Sequence, residues 1–263
     1  GEIIRTYVNP EPRLSFSYLM TEFSSVKGSY ARMTQNMHLL SNSTSGSPTD
    51  RWISTSNIIK PEIGDQVSGG YFRKLKEGAY ELSGEVYYKW MQNQIDYRNG
   101  ADILVNQYIE GELLFGKGRA YGLEVMARKN TGRLTGWVGY TLSRTERKIE
   151  GINNGAWYNA RQDRTHDVSI VGTYALTERW SCSALSTYNT GNAVTFPTGK
   201  YMVDDQVVFS YTERNAGRMP AYHRLDLSAT WTRKRAKHES TWNFSLYNAY
   251  GKQNAYTITF QAN

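Results

Sequence analysis

The segment YELSGEVYYKW, residues 80–90, decides the fold. Its even positions carry Tyr80, Leu82, Gly84, Val86, Tyr88 and Trp90, while its odd positions carry Glu81, Ser83, Glu85, Tyr87 and Lys89. Successive side chains of a strand point to opposite faces, so this stretch is a strand with one apolar and one polar face. The same alternation runs through 223–233, where Leu225, Leu227, Ala229 and Trp231 oppose Arg224, Asp226, Ser228, Thr230 and Thr232. It returns at 240–246, with Trp242, Phe244 and Leu246 against Thr241, Asn243 and Ser245.

Weaker versions of the pattern give about ten strand candidates of about 9 to 12 residues each, the length a tilted strand needs to cross a bilayer core. The predicted strands are 12–20, 25–36, 65–76, 79–91, 119–129, 133–144, 166–177, 179–190, 222–234 and 240–260, paired antiparallel with nearest neighbours. Their connections alternate short and long. Short joins fall at Thr21–Ser25, Lys76–Gly78, Asn130–Gly132, Thr177–Arg179 and Lys234–Glu239; long ones fall at Met37–Gly64, Gln92–Gly118, Thr145–Thr165 and Gly191–Tyr222. All short turns then lie at one end of the sheet and all long loops at the other, as in transmembrane β-barrels. Trp90, Trp180, Trp231, Trp242 and Tyr188 sit near strand ends, where amphipathic rings mark a lipid–water boundary.

Composition agrees with an all-β chain. Among 263 residues there are 20 Tyr, 7 Trp and 23 Gly against one Cys and 6 Pro. No run reaches the roughly 18 apolar residues of a spanning helix. The mean hydropathy of −0.62 remains compatible with a barrel, whose strands show lipid only every second residue. The net charge of +7 is distributed over turns between acids rather than along one face, which argues against nucleic acid as a partner. Cys182 stands alone, so no disulfide framework or thiolate metal site is expected. Gly1–Pro12 carries no signal-peptide pattern, and the sequence is expected to be a fragment of a longer protein.

Five segments resemble the C-terminal barrel of Bacteroidetes-type TonB-dependent receptors: ELLFGKGRAYGLEV (112–125), GWVGYTLSRTERKIEGINNG (136–155), DRTHDVSIVGTY (163–174), ERNAGRMPAYHRLDLSATW (213–231) and TWNFSLYNAYGKQNAYTITF (241–260). The resemblance implies an antiparallel, up-and-down transmembrane arc of about ten strands from a 22-stranded barrel, with residues 1–263 as a single segment of it. It also implies that the plug domain, the N-terminal strands and the closing strand lie outside this chain, and that 240–260 is a long, bulged penultimate strand. The implied partners are outer-membrane lipid, the rest of the barrel and its plug, the TonB energy-coupling complex and a surface lipoprotein. The implied place is the outer membrane of a Gram-negative bacterium.

Asp163, Arg164, His166 and Asp167 form the densest ionisable cluster. An enzyme would use His166 as a general base oriented by a carboxylate, but no nucleophile motif accompanies it. The alternative is a loop-to-strand entry whose side chains bind loop backbone and one another. Arg214, Asn215, Arg218 and His223 flank Pro220 at a second such entry, where they either pack the loops or meet an anionic ligand from the lumen. The four histidines, His38, His166, His223 and His238, lack ligand spacing, so no metal or cofactor is expected. Glu124 and Arg128 are predicted to point inward, because a charge facing mid-bilayer is costly.

Three functions fit this pattern: an energy-coupled importer of a scarce ligand such as an iron chelate, haem or glycan; a structural or interaction barrel within a cell-surface complex; and an outer-membrane phospholipase with Ser and His at the rim. Leu82, Val86, Leu225, Leu227, Phe244 and Leu246 should face lipid, with Glu81, Glu85, Arg224 and Asp226 on the lumen side. The first and last strands should each lack a neighbour within the chain; bonding between them would mean a small closed barrel instead.

Overall fold

The computed structural model describes residues 5–40, 51–99, 101, 106, 108–204, 206–211 and 213–258. Its frame is one antiparallel sheet of ten long strands. They are β1 (Arg13–Thr21), β2 (Ser24–Gln35), β3 (Glu62–Leu75), β4 (Tyr80–Tyr97), β5 (Leu113–Lys129), β6 (Leu134–Ile149), β7 (His166–Ala175), β8 (Trp180–Asn189), β9 (Tyr222–Lys234) and β10 (Glu239–Leu246). Each pairs with its sequence neighbours, and a two-residue strand, Tyr158–Asn159, adds to the far end of β6. Helix is confined to two short 3-10 turns at Ile109–Glu112 and Asn153–Gly155 among the described residues.

Register carries the sequence alternation across the whole sheet. Directly opposed residues share a face. One row runs Leu82, Ala127, Val138, Ile170, Ser186, Leu225. Another runs Phe16, Gly28, Gly69, Val86, Leu123, Leu142. The Phe16 ring lies over Gly28, where a Cβ would come within 2.3 Å of it and displace the ring. The opposite face carries Gly70, Glu85, Glu124, Thr141, Asp167 and Asn189 in one row and opposes Glu81 to Arg128 in another. Glu124 and Arg128 thus share the polar face with Glu81 and Glu85.

The apolar face is unprotected by protein. Leu82 is 42% exposed, Val86 58%, Leu227 40%, Phe244 58% and Leu246 57%. Water would penalise such a surface at about 25 cal/mol per Å², so its natural solvent is hydrocarbon. Leu225 departs from the expectation and is half-buried; the chain beyond β10 lies beside it, and the Ala249 N–H donates to its carbonyl at 2.7 Å. From Tyr80 to Trp90 the band is roughly 25 Å tall for a tilted strand. Buried apolar clusters occur instead at the long-loop end, around Ile59, Ile95, Tyr97 and Leu113, and around Ile149, Ile152 and Tyr158.

Four strand ends differ from the sequence-based expectation. Strands β4, β5 and β6 run on to Tyr97, back to Leu113 and on to Ile149, beyond the apolar–polar alternation. There the face they cover is loop protein rather than lipid, so side-chain choice no longer follows period two. The final strand, expected over 240–260, ends at Leu246. Asn248 at φ 53° and Gly251 at φ 66° turn the chain out of the ladder, and residues 259 and 260 lie outside the described residues. Among the described residues β1 bonds only to β2 and β10 only to β9, so the sheet is an open arc.

Candidate functional site

The long loops gather at one end of the arc, where a polar knot ties three of them together. Arg214 is its centre. Its guanidinium donates to Asp96 Oδ1 at 2.7 Å, to the Tyr97 carbonyl at 2.6 Å and to Asn99 Oδ1 at 2.8 Å. Asn153 closes the backbone of Arg214 from the other side, accepting from its N–H at 2.8 Å and donating to its carbonyl at 3.1 Å. The Tyr158 hydroxyl donates to Asp96 Oδ2 at 2.8 Å. Asn215 bonds the Asn159 carbonyl and the Thr195 hydroxyl. Burial, reinforced by the Asp96 carboxylate, holds the Tyr158 phenol above the ordinary tyrosine range.

The cluster 163–167 is the second fastening. Asp163 is 1% exposed; it accepts the Thr145 N–H at 2.6 Å and pairs with Arg218. Arg218 also donates to the carbonyls of Asp163 and Gly191, at 3.2 and 3.3 Å. Arg164 reaches Asn192 Oδ1 at 2.7 Å, and its carbonyl accepts the Ser143 hydroxyl at 2.8 Å. A buried carboxylate and three loop segments are thereby mutually satisfied, which is what a buried charge requires.

The two strand-borne histidines stand apart from this. His166 is opposite Leu142 and His223 is opposite Tyr188, both on the apolar face. His166 Nδ1 lies 2.9 Å from the Tyr140 hydroxyl, and His223 Nδ1 lies 2.8 Å from the Tyr250 hydroxyl. In these contacts each histidine meets a tyrosine hydroxyl. No group of three or more His, Cys, Asp or Glu converges among the described residues.

Of the six residues singled out in the sequence, Asp163 and Arg218 meet directly, and Arg164 joins them through Asn192, next to Gly191. Arg214 anchors a separate knot, and His166 and His223 lie on the sheet. Asp96, Asn153 and Tyr158 escaped the sequence reading, whereas Asn215, read with the second cluster, joins Arg214 in its knot. Those three are isolated polar residues at one strand end and in one long loop, and only the fold makes them neighbours. What such an arrangement does chemically is fasten the long loops to one another at one end of the polar-lined wall.

An antiparallel arc with one lipid-compatible face, one polar face and loops fastened at one end is the wall of an outer-membrane-type β-barrel. The family model described as TonB dependent receptor-like, beta-barrel matches residues 3–250, and the chain belongs to that family. Its members are receptors and transporters of the Gram-negative outer membrane rather than enzymes, and the outer membrane is the place of this chain. Among solved structures, the ferric-catecholate import receptor Fiu of E. coli K12 superposes with a TM-score of 0.60 at 18% identity, over 94% of this chain and 31% of that one. FpvA of P. aeruginosa bound to a heterologous pyoverdine gives 0.64 at 12% identity, over 95% and 30%. The FrpB iron transporter of Neisseria meningitidis gives 0.58 at 14% identity, over 93% and 35%. The chain therefore spans about a third of the length of these proteins. No curated protein matches the sequence.

Proposed function

We propose that this chain is part of the wall and external loops of a TonB-dependent importer that takes up a scarce ligand, an iron chelate before haem or a glycan. The observation that carries the reading is the pair of open edges on β1 and β10 in a sheet whose outer face suits lipid. Unpaired strand edges are not stable in hydrocarbon, so further strands of a larger barrel complete the wall. A barrel of that size encloses a lumen wide enough to need a plug, and the polar row through Glu85, Glu124 and Asp167 would line it. Ligand capture falls to the loops fastened by Arg214 and Arg218, and energy comes from TonB acting on the plug. Iron chelates rank first because Fiu is a ferric-catecholate import receptor, FpvA is seen in a pyoverdine–Fe complex and FrpB is an iron transporter.

A second reading makes the barrel an interaction subunit of a surface complex. It draws on the hairpin Gly199–Val203 with Gln206–Ser210, which stands apart from the main sheet with Tyr201, Met202 and Val203 exposed; a surface lipoprotein of the Bacteroidetes kind would suit it. The deciding experiment expresses the full-length protein in cells with and without TonB and follows uptake of a labelled panel of ferric siderophores, haem and oligosaccharides. TonB-dependent accumulation of a ferric complex is expected. Equal uptake of every ligand in both strains would leave the interaction reading.

A further inference from the structure

The outward face carries a cationic shelf just above its apolar belt. Lys117 on β5 and Lys148 on β6 are directly opposed and both exposed. Like charges in direct cross-strand opposition destabilise a ladder, and no ion pair among the described residues involves either lysine. Beneath them Arg119 lies 2.7 Å from Glu146, which also holds Arg144 at 2.8 Å. One carboxylate therefore serves two guanidiniums. Along the same level, Asp65 is opposite Trp90, which is opposite Arg119, and Asp65 pairs with Arg32 at 2.8 Å. The shelf holds Arg32, Lys117, Arg119, Arg144 and Lys148 against Asp65 and Glu146: five cations less two carboxylates, a surplus of three positive charges.

A groove of about 450 Å³ opens in this shelf, walled by Trp90, Trp157, Met91, Lys117, Arg119 and Asp65. Trp157 comes from the loop after β6 and lies under Arg119, whose guanidinium carbon is 4.2 Å from its ring centre. Trp90 closes the apolar belt, and Lys117 stands two residues beyond the level of Arg119, about 5 Å higher along a tilted strand. That is the layer in which lipid headgroups place their phosphates. A solvated cation cluster would need no aromatic walls, and a plain lipid-facing girdle would need no unpaired lysines.

We propose that this groove seats a phosphorylated glycolipid of the outer leaflet. Lys117 and Lys148 take its phosphate, and Trp90 and Trp157 pack against its sugar rings. The anion relieves the opposed lysines, so the lipid also stabilises the β5–β6 ladder. The inference rests on the proposed function only for its sidedness, with the long loops outside the cell.

The test uses the full-length receptor, delipidated in detergent and incubated with diphosphorylated lipid A, with its dephosphorylated counterpart, or with phosphatidylglycerol; bound lipid is counted by native mass spectrometry. Diphosphorylated lipid A should be retained preferentially, and the Lys117→Gln/Lys148→Gln double variant should lose that retention by roughly tenfold or more, while still running as a folded, heat-modifiable band. Equal retention by the double variant, or equal binding of either comparison lipid, overturns the site. In parallel, Glu150→Cys, at an exposed turn position just after β6, is treated on intact cells with a membrane-impermeant maleimide. Labelling without lipid discrimination overturns the glycolipid site alone; labelling only after permeabilisation overturns the sidedness and the site with it.

Discussion

Asn254 grips both backbone groups of His223. Its Oδ1 accepts the His223 N–H at 3.1 Å and its Nδ2 donates to the His223 carbonyl at 3.0 Å. A side-chain carboxamide thus stands in for the peptide of a neighbouring strand where β10 has already turned away. The turn itself is tied by Asn248, whose N–H donates to Asp226 Oδ1 at 2.9 Å and whose side chain bonds the Lys252 N–H and carbonyl at 3.0 Å.

Asn254→Ala should therefore lower stability by about 1 to 3 kcal/mol, since it leaves a part-buried donor and acceptor unpaired. Asn254→Asp should lose less, because the acceptor survives. Thermal unfolding followed by the band shift of unheated samples measures both. A neutral alanine variant would mean that water replaces the carboxamide.

Arg214→Ala should loosen the loops without disturbing the sheet. Asp96 would keep the Tyr158 hydroxyl and the Tyr97 N–H but lose its cation, and the bonds from Arg214 to the Tyr97 carbonyl and Asn99 would vanish. Hydrogen exchange should rise across 94–99 and 152–159 while β7 and β8 stay protected. Arg214→Lys should recover little, because a point charge cannot reach three acceptors in different directions.

The Tyr158 phenol makes the same knot sensitive to alkali. Its folded value lies above the unfolded one, through burial first and Asp96 second. Its contribution is therefore complete below the usual tyrosine value of about 10 and falls away as pH rises above that. Exchange in 152–159 should accelerate above about pH 10. In Tyr158→Phe that acceleration should shrink; an unchanged profile would assign the transition to another group.

Val86 lies mid-belt and 58% exposed, while Ser83 faces the other way. Val86→Arg should reduce folding into bilayers by about 2 to 4 kcal/mol, and Ser83→Arg should be nearly neutral because it meets the polar interior. Folded fraction in phosphatidylcholine vesicles distinguishes them. Equal losses would invert or abolish the assignment of faces.

The sheet was legible because its signal is local: Tyr80–Trp90 and His223–Arg233 each announce period two within about a dozen residues. Pairing followed from the alternation of turn lengths. The loop end was legible only in part. Asp163 and Arg164 drew attention by density, yet their partners Arg218 and Asn192 are distant in sequence. Nothing in the sequence pointed to Asp96, Asn153 or Tyr158, because each is a lone polar residue whose meaning depends on a contact tens of residues away. Lys117 and Lys148 looked like ordinary loop charge until register placed them face to face.

The sequence by itself determined an all-β chain with one apolar and one polar face per strand, because side-chain direction alternates residue by residue and lipid or water selects each face independently. Only the tertiary structure decided where the strands outrun the membrane, how the final strand leaves the ladder at Leu246, and which loop residues bind one another. Those outcomes depend on contacts between segments far apart in sequence, whose cost in chain entropy is met only after the sheet has brought the loop ends together.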